Sequence, residues 1–211
     1  MAKKGIFITL EGTDGVGKTT QRHLLADWLK KQGHEVIETR EPGGGAASRV
    51  AEQIRALLLD PLAQMSALTE LMLYEAARSE HVEKVIRPAL AMGKVVICDR
   101  YTDSTVAYQG GARGLPRPII DQLNSIATGG LKPRLTILLD LAPEAALEKA
   151  IGRSGKGDRM ENEGEAFQKR VRAGFLSAAR REPRRIKVVK VLATIEETRL
   201  EIQKAVRKVI R

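Results

Sequence analysis

A chain of 211 residues suits one α/β domain, 1–211, with a sizeable core, and its single cysteine excludes an internal disulfide framework. No apolar run is long enough to span a bilayer, and Met1-Ala2-Lys3-Lys4 does not open a charged-then-apolar leader, so a reducing cytoplasm is the expected compartment. The formal net charge of +10 invites a nucleic-acid reading until it is located along the chain.

The first element is a β-branched apolar run, Ile6 to Leu10, which predicts a strand. It leads into Gly12-x-x-x-x-Gly17-Lys18-Thr19, and that opens a helix with Leu24, Leu25, Trp28 and Leu29 on one side. Strand, glycine loop and helix in this order mark a phosphate loop. Gly12, Gly15 and Gly17 let the backbone curl so that its N–H groups converge, together with those of Thr13, Asp14 and Val16, on phosphate oxygens. The helix directs the positive end of its dipole to the same point. Lys18 adds a cation for the β and γ phosphates, and the Thr19 hydroxyl is a ligand for Mg²⁺. Binding of a nucleoside triphosphate follows.

A second strand is predicted at 34–39, then the turn Arg40-Glu41-Pro42-Gly43-Gly44-Gly45. Helices are predicted over 48–59 and 66–92, with Pro88 kinking or ending the second. Lys94 to Cys98 is a continuous apolar run ending in Asp99, as expected of a strand buried on both faces, and 135–140 is another after the turn Gly129-Gly130. Residues 143–151 read as helix, 152–157 as a Gly-hinged basic loop, 161–181 as helix, 186–191 as a fifth strand and 195–210 as a closing amphipathic helix. This alternation predicts an α/β fold in three layers, a five-stranded parallel sheet flanked by helices, with a small mobile lid at about 152–160. The positive charge belongs to the last fifth: residues 168–211 hold 14 Lys and Arg against 4 Glu. Its densest part, Arg180 to Lys187, has no interleaved aromatic residues for base stacking, so a solvated helix end and turn is the favoured reading.

Ligands of such sheets gather at the carboxyl ends of the strands. There the chain places the phosphate loop, Arg40 with Glu41, and Asp99-Arg100-Tyr101. Asp99 suits a Mg²⁺ site, and Arg100 suits bidentate phosphate binding. The basic loop with Arg153, Lys156 and Arg159 suits closure over a triphosphate. His23, His34 and His81 lack metal-ligand spacing and read as surface or core-filling residues. Cys98 reads as a buried small hydrophobe.

Together these residues resemble the thymidylate kinase (dTMP kinase) family from about Ile6 to the last helix. The resemblance is carried by Gly12 to Thr20, Thr39-Arg-Glu-Pro-Gly-Gly44, Ile54-Arg55-x-Leu-Leu-Leu59 and Leu73-Tyr74-x-x-x-Arg78. The most specific stretch is Asp99-Arg-Tyr-x-x-Ser104-x-x-Ala-Tyr108-Gln109-Gly110. Tyr74 stands where Phe is usual, and Gly45 where Thr or Val is common. The resemblance implies a P-loop NTPase fold, ATP and Mg²⁺ as cofactors, dTMP as acceptor and a homodimer. It places the acceptor phosphate on Arg100 and Arg40 with Arg55, and the deoxyribose 3′-hydroxyl on Asp14. Tyr108 would occupy the place of a ribose 2′-hydroxyl. Tyr74 would stack on thymine, Arg78 would donate to its O4, and Ser104, Thr105 and Gln109 would line the base pocket beside Glu41. Catalytic cations would be Lys18, Arg100 and the lid arginines Arg153 and Arg159, with Thr19 and Asp99 at the metal.

These roles agree with elementary chemistry. Thymine O4 only accepts hydrogen bonds, whereas cytosine presents an amino donor there, so an arginine selects between them. A phosphate monoester has its second pKa near ~6, so the attacking oxygen needs no general base. The remaining readings are a kinase for another nucleotide or for a deoxynucleoside, with Glu41 as base, and a nucleotide-gated nucleic-acid binder working through the basic C-terminal region.

Overall fold

Parallel strands require crossovers, and the helices between the apolar runs supply them. In the computed structural model, which describes residues 5–142, 145, 159–160 and 163–210, five strands form one parallel sheet in the order β2-β3-β1-β4-β5. They are β1 (Ile6–Glu11), β2 (Val36–Arg40), β3 (Val95–Asp99), β4 (Leu135–Asp140) and β5 (Ile186–Lys190). The register sets Asp99 level with Leu10 on one side and Arg40 on the other. The phosphate loop, the Arg40 turn and the Asp99-Arg100 segment therefore leave the sheet side by side.

Side chains alternate across a strand, so each strand serves two layers. Ile8, Leu10, Ile97, Ile137 and Leu139 meet Leu25 and Leu29 of α1 (Lys18–Lys31) and Ile202 and Val206 of the last helix, Ile195–Arg207. On the opposite face, Phe7, Val96 and Cys98 meet Val82, Ile86 and Tyr101. Leu138 and Ile186 meet Phe167, Val171 and Phe175 of the helix Glu165–Arg181. Helix, sheet and helix make three layers. Thr9 and Thr136 interrupt the second face, but their hydroxyls lie 2.7 Å apart and satisfy each other.

The predicted helix over 66–92 proves to be three consecutive pieces. After α2 (Arg49–Leu59) come α3 (Ala67–His81), a π-helical stretch Val82–Ile86 and α4 (Arg87–Ala91). Pro88 does not end the helix, because it falls in the first turn of α4, where its missing N–H is not needed. Sequence reasoning missed the helices after Arg100: α5 (Thr102–Thr105), a π-helical stretch Val106–Ala112 and α6 (Arg117–Thr128). The signals for α6 were present: Pro118 in its first turn, apolar Ile120, Leu123 and Ala127, and Gly129 in left-handed geometry beyond its end. The helices Glu165–Arg181 and Ile195–Arg207 are α7 and α8. The expected helix 143–151 and the lid lie outside the described residues, apart from Ala145, Arg159 and Met160.

Candidate active site

Gly12 must be glycine: its φ is 142°, and a Cβ there would lie 2.5 Å from the Leu139 carbonyl oxygen. Gly17, at φ 90°, caps α1 without any side-chain hydrogen bond, so the first amides of that helix stay available to an anion. Lys18 is buried at the base of the loop and donates to the carbonyls of Gly12 (3.1 Å) and Thr13 (2.7 Å). Burial and the neighbouring Arg100 lower its pKa. Two of its three hydrogens are thus placed, and the third remains for a phosphate oxygen.

Lys18 lines a cavity of about 290 Å³, and Arg40, Arg55, Arg78 and Arg100 line it too. Arg100 donates to Ser104 Oγ (3.1 Å), Asp14 Oδ1 (2.5 Å) and Tyr108 Oη (2.9 Å), with its guanidinium 4.9 Å over the Tyr108 ring. The Tyr108 hydroxyl in turn donates a hydrogen bond to Asp14 Oδ2 (3.0 Å). Burial opposes the Asp14 charge, but Arg100 and Lys18 overcome it and hold the carboxyl at a pKa of about 2. Arg40 is held by both oxygens of Glu52 at 3.1 Å, and Glu52 also accepts the amides of Gly44 and Gly45. Arg55 donates to the Pro42 carbonyl at 2.8 Å. These contacts aim both guanidinium groups at the cavity.

At the far end Arg78 is 2% exposed and almost fully engaged. Its Nε donates to Glu41 (2.7 Å), and Nη1 serves Glu75 (2.7 Å), Thr105 (2.8 Å) and Asn124 (2.8 Å). Nη2 donates to the Tyr101 carbonyl (3.2 Å), which leaves one Nη2 hydrogen for a ligand. Leu59, Tyr74 and Met160 form the apolar lining here. Burial raises the Tyr74 pKa, so the ring stays a neutral phenol. Gln109 also lines the cavity but donates its amide to the buried Glu70 (2.8 Å).

Several expected residues sit differently. Glu41 lines the cavity, yet its oxygens are taken by Arg78 and His81, which makes it a strut for Arg78. His81 is a packing residue and not a surface one, and it bonds as well as fills: it is fully buried, with Nδ1 3.0 Å from Glu41 and Nε2 2.7 Å from the Thr39 hydroxyl. Of the phosphate loop, Asp14, Gly15, Gly17, Lys18 and Thr19 line the cavity; Gly12 and Thr13 border a small separate pocket, and the Val16 side chain is part of the core. Arg159 donates to Glu70 (2.6 Å) and the Leu58 carbonyl (2.9 Å) and likewise lies off the lining. Arg153 and Lys156 lie outside the described residues. Glu70, His81 and Asn124 went unrecognised because each acts on a partner about forty residues away, and Glu52 because its partners lie in the turn before its helix.

A hard cation fits beside the phosphate loop. Thr19 donates to Asp99 Oδ2 at 3.1 Å, while Asp99 Oδ1 is buried with no partner. No cluster of three or more His, Cys, Asp or Glu could hold a metal among the described residues. A cation there would take its other ligands from phosphate and water.

This arrangement has close counterparts. The profile described as thymidylate kinase matches residues 10–202. The thymidylate kinase of Symbiobacterium thermophilum is 49% identical over 206 residues, 97% of this chain and 94% of its own. That of Synechococcus sp. strain JA-3-3Ab is 56% identical over 183 residues, 86% and 85% of the two chains.

The chain belongs to the thymidylate kinase family.

The likeness extends to three dimensions. The crystal structure of thymidylate kinase from Ehrlichia chaffeensis superposes with a TM-score of 0.78 at 36% identity, covering 96% of this chain and 98% of that one. The five-stranded parallel order and the flanking layers are thus the fold of a family member.

Proposed function

We infer that this chain transfers the γ-phosphoryl group of ATP to dTMP, giving dTDP. Family membership over residues 10–202 supports the activity. The observation that carries the site assignment is the single cavity running from Lys18, past Arg100, Arg40 and Arg55, to Arg78 and Tyr74. It offers cations at two phosphate positions and an apolar end with one fixed donor.

In this reading Lys18 and the loop amides hold the β and γ phosphates, while Arg100 and Arg40 with Arg55 hold the acceptor phosphate. The acceptor oxygen is already deprotonated at neutral pH, so the chain's task is alignment and charge neutralisation. Asp14, kept ionised by Arg100, receives the sugar 3′-hydroxyl, and the Tyr108 ring fills the position a 2′-hydroxyl would need. Tyr74 stacks on thymine, and the spare Nη2 hydrogen of Arg78 meets O4. Ser104, Thr105 and Gln109 border the base site, and Glu41 serves it through Arg78. Thr19 and Asp99 hold Mg²⁺, which when bound neutralises charge on the β and γ phosphates.

The remaining features belong to the same proposal. Residues 1–211 act as one catalytic domain, and Arg153 and Arg159, expected in a lid at about 152–160, supply further cations to the phosphates. A homodimer forms through α2, α3 and α6, neighbouring helices that expose Val50, Leu57, Leu68, Met72, Ile119 and Ile126. No helix among the described residues is long and apolar enough to cross a membrane. We place the enzyme in the cytoplasm, with nucleotides and not nucleic acids as its ligands. Lys187 and Lys190 on the edge strand β5 give part of the basic charge a structural purpose, because charged edges resist sheet-to-sheet association.

The test is to supply dTMP, dUMP, dCMP, dGMP and AMP in turn with ATP and Mg²⁺ and to measure the diphosphates formed. We expect dTMP to be converted fastest, dUMP modestly more slowly, since it lacks only one buried methyl, and dCMP far more slowly. Equal conversion of dTMP and dCMP would refute the base-site assignment, and no conversion of dTMP would refute the function.

A further inference from the structure

Glu11 ends β1 immediately before the phosphate loop, is fully buried and does not line the cavity. Both of its oxygens serve the segment that carries Arg100. Oε1 accepts the Tyr101 amide at 2.8 Å, and Oε2 accepts the Ser104 hydroxyl at 2.6 Å. Ser104 in turn accepts from Arg100 Nη1 at 3.1 Å. Arg100 itself sits at φ 70°, a left-handed conformation unfavourable for any residue with a Cβ, and such a turn persists only where its surroundings over-determine it. Two neighbouring residues of β1 supply that constraint: the Leu10 carbonyl takes the Arg100 amide at 2.9 Å, and Glu11 takes the next one.

Among the described residues Glu11 makes no ion pair. The cation that acts on it, Arg100, is paired with Asp14. A buried carboxylate is costly, and an amide or an apolar side chain would be cheaper if the position were only structural. What distinguishes a carboxylate is that it can accept from two donors at once.

We propose that Glu11 is a positioning residue for the acceptor phosphate: it fixes the left-handed turn at Arg100 and, through Ser104, the direction of the Arg100 guanidinium. The proposal rests on the reading of Arg100 as an acceptor-phosphate ligand. Glu11→Gln tests it, because an amide keeps one acceptor for the Tyr101 N–H but turns a donor toward Ser104, whose hydroxyl must then rotate its hydrogen away and lose its present link. Burial and the Asp103 charge push the Glu11 carboxyl up to about 8, so the variants are compared at pH 9, where the carboxylate is ionised, and removing its charge should not weaken the fold.

Steady-state kinetics and thermal melting are measured for wild type, Glu11→Gln, Ser104→Ala, the double variant and Arg100→Ala. The expected result for Glu11→Gln is a KM for dTMP raised about tenfold, the effect of one lost charge-assisted hydrogen bond. The KM for ATP should stay within twofold and Tm within a few degrees of wild type. The double variant should cost less than the product of the two single effects, since the Glu11–Ser104 bond is shared between them. An unchanged KM for dTMP, a parallel rise in both KM values, additive effects in the double variant, or a Tm lowered by more than about 5 °C would each overturn the proposal. If Arg100→Ala leaves the KM for dTMP unchanged, the acceptor-phosphate reading fails. If it raises that KM while Glu11→Gln does not, only the Glu11 proposal fails.

Discussion

Arg78→Ala removes the most heavily bonded side chain of the base site and has two separable consequences. The first is stability, because Glu41 and Glu75, both buried, lose their guanidinium partner. Breaking a buried ion pair from one side costs about 3–5 kcal/mol. At ~2–4 °C per kcal/mol for a chain of this size, Tm should fall by roughly 6–20 °C at neutral pH. The loss should shrink in acid. Burial tends to raise the Glu41 pKa, but Arg78 and His81 bring it below its ordinary 4.5, so its stabilising contribution is present above that value and disappears as pH falls through the folded one. The second consequence is selectivity. One Nη2 hydrogen is left for thymine O4, and losing a charge-assisted hydrogen bond of about 1.5–3 kcal/mol lowers kcat/KM for dTMP roughly 10- to 150-fold. The value for dCMP should be unchanged or improved. Differential scanning fluorimetry across pH and a coupled ADP-release assay below the variant's Tm read the two effects. A Tm loss under about 3 °C would refute the energetic argument, and a dTMP-to-dCMP ratio unchanged within twofold would remove Arg78 from base recognition.

Lys18→Met should lower kcat at least about a hundredfold while leaving Tm within a few degrees, and near-normal turnover would disprove the phosphate cradle. Asp99→Asn should raise the Mg²⁺ concentration for half-maximal velocity about tenfold, and an unchanged titration would dissociate Asp99 from the metal. Asp14 has its folded pKa held at about 2 against an ordinary 3.8, so it adds ~2 kcal/mol that is complete above pH 3.8 and lost as pH falls through about 2. Asp14→Asn should therefore flatten the dependence of Tm on pH in that window, and an unaltered slope would contradict the assignment. Met72→Glu, at a side chain 53% exposed on α3, should convert the dimer to monomer in light scattering coupled to size exclusion; a monomeric wild type would dispose of the dimer.

Features that depend on a few consecutive residues were legible in the chain. The apolar runs became the five strands within two residues of their expected limits, and Gly12 to Thr19 became the loop and helix start. Asp99 and Arg100 stand at a strand end as read. Local information failed where backbone hydrogen bonding departs from the α pattern, as around Pro88 and again after Arg100, where two π-helical stretches dilute the 3.6-residue periodicity. It failed again for the struts of the site. Glu41 meets Arg78 and His81 across about forty residues, and Glu70 meets Gln109 and Arg113 across a similar separation and Arg159 across 89 residues.

By itself the sequence determined what is chemically local in this protein: glycines where the backbone must turn or approach closely, a lysine and a threonine at a helix start, and alternating runs that make a parallel sheet. The tertiary structure alone decided which charges face one another. It left Arg78 a single free donor, turned Glu41 and His81 into its supports, set Glu11 beneath Arg100 and drew Arg159 onto Glu70. Such pairings are made by crossovers that bring distant segments to one end of the sheet, and no local periodicity encodes them.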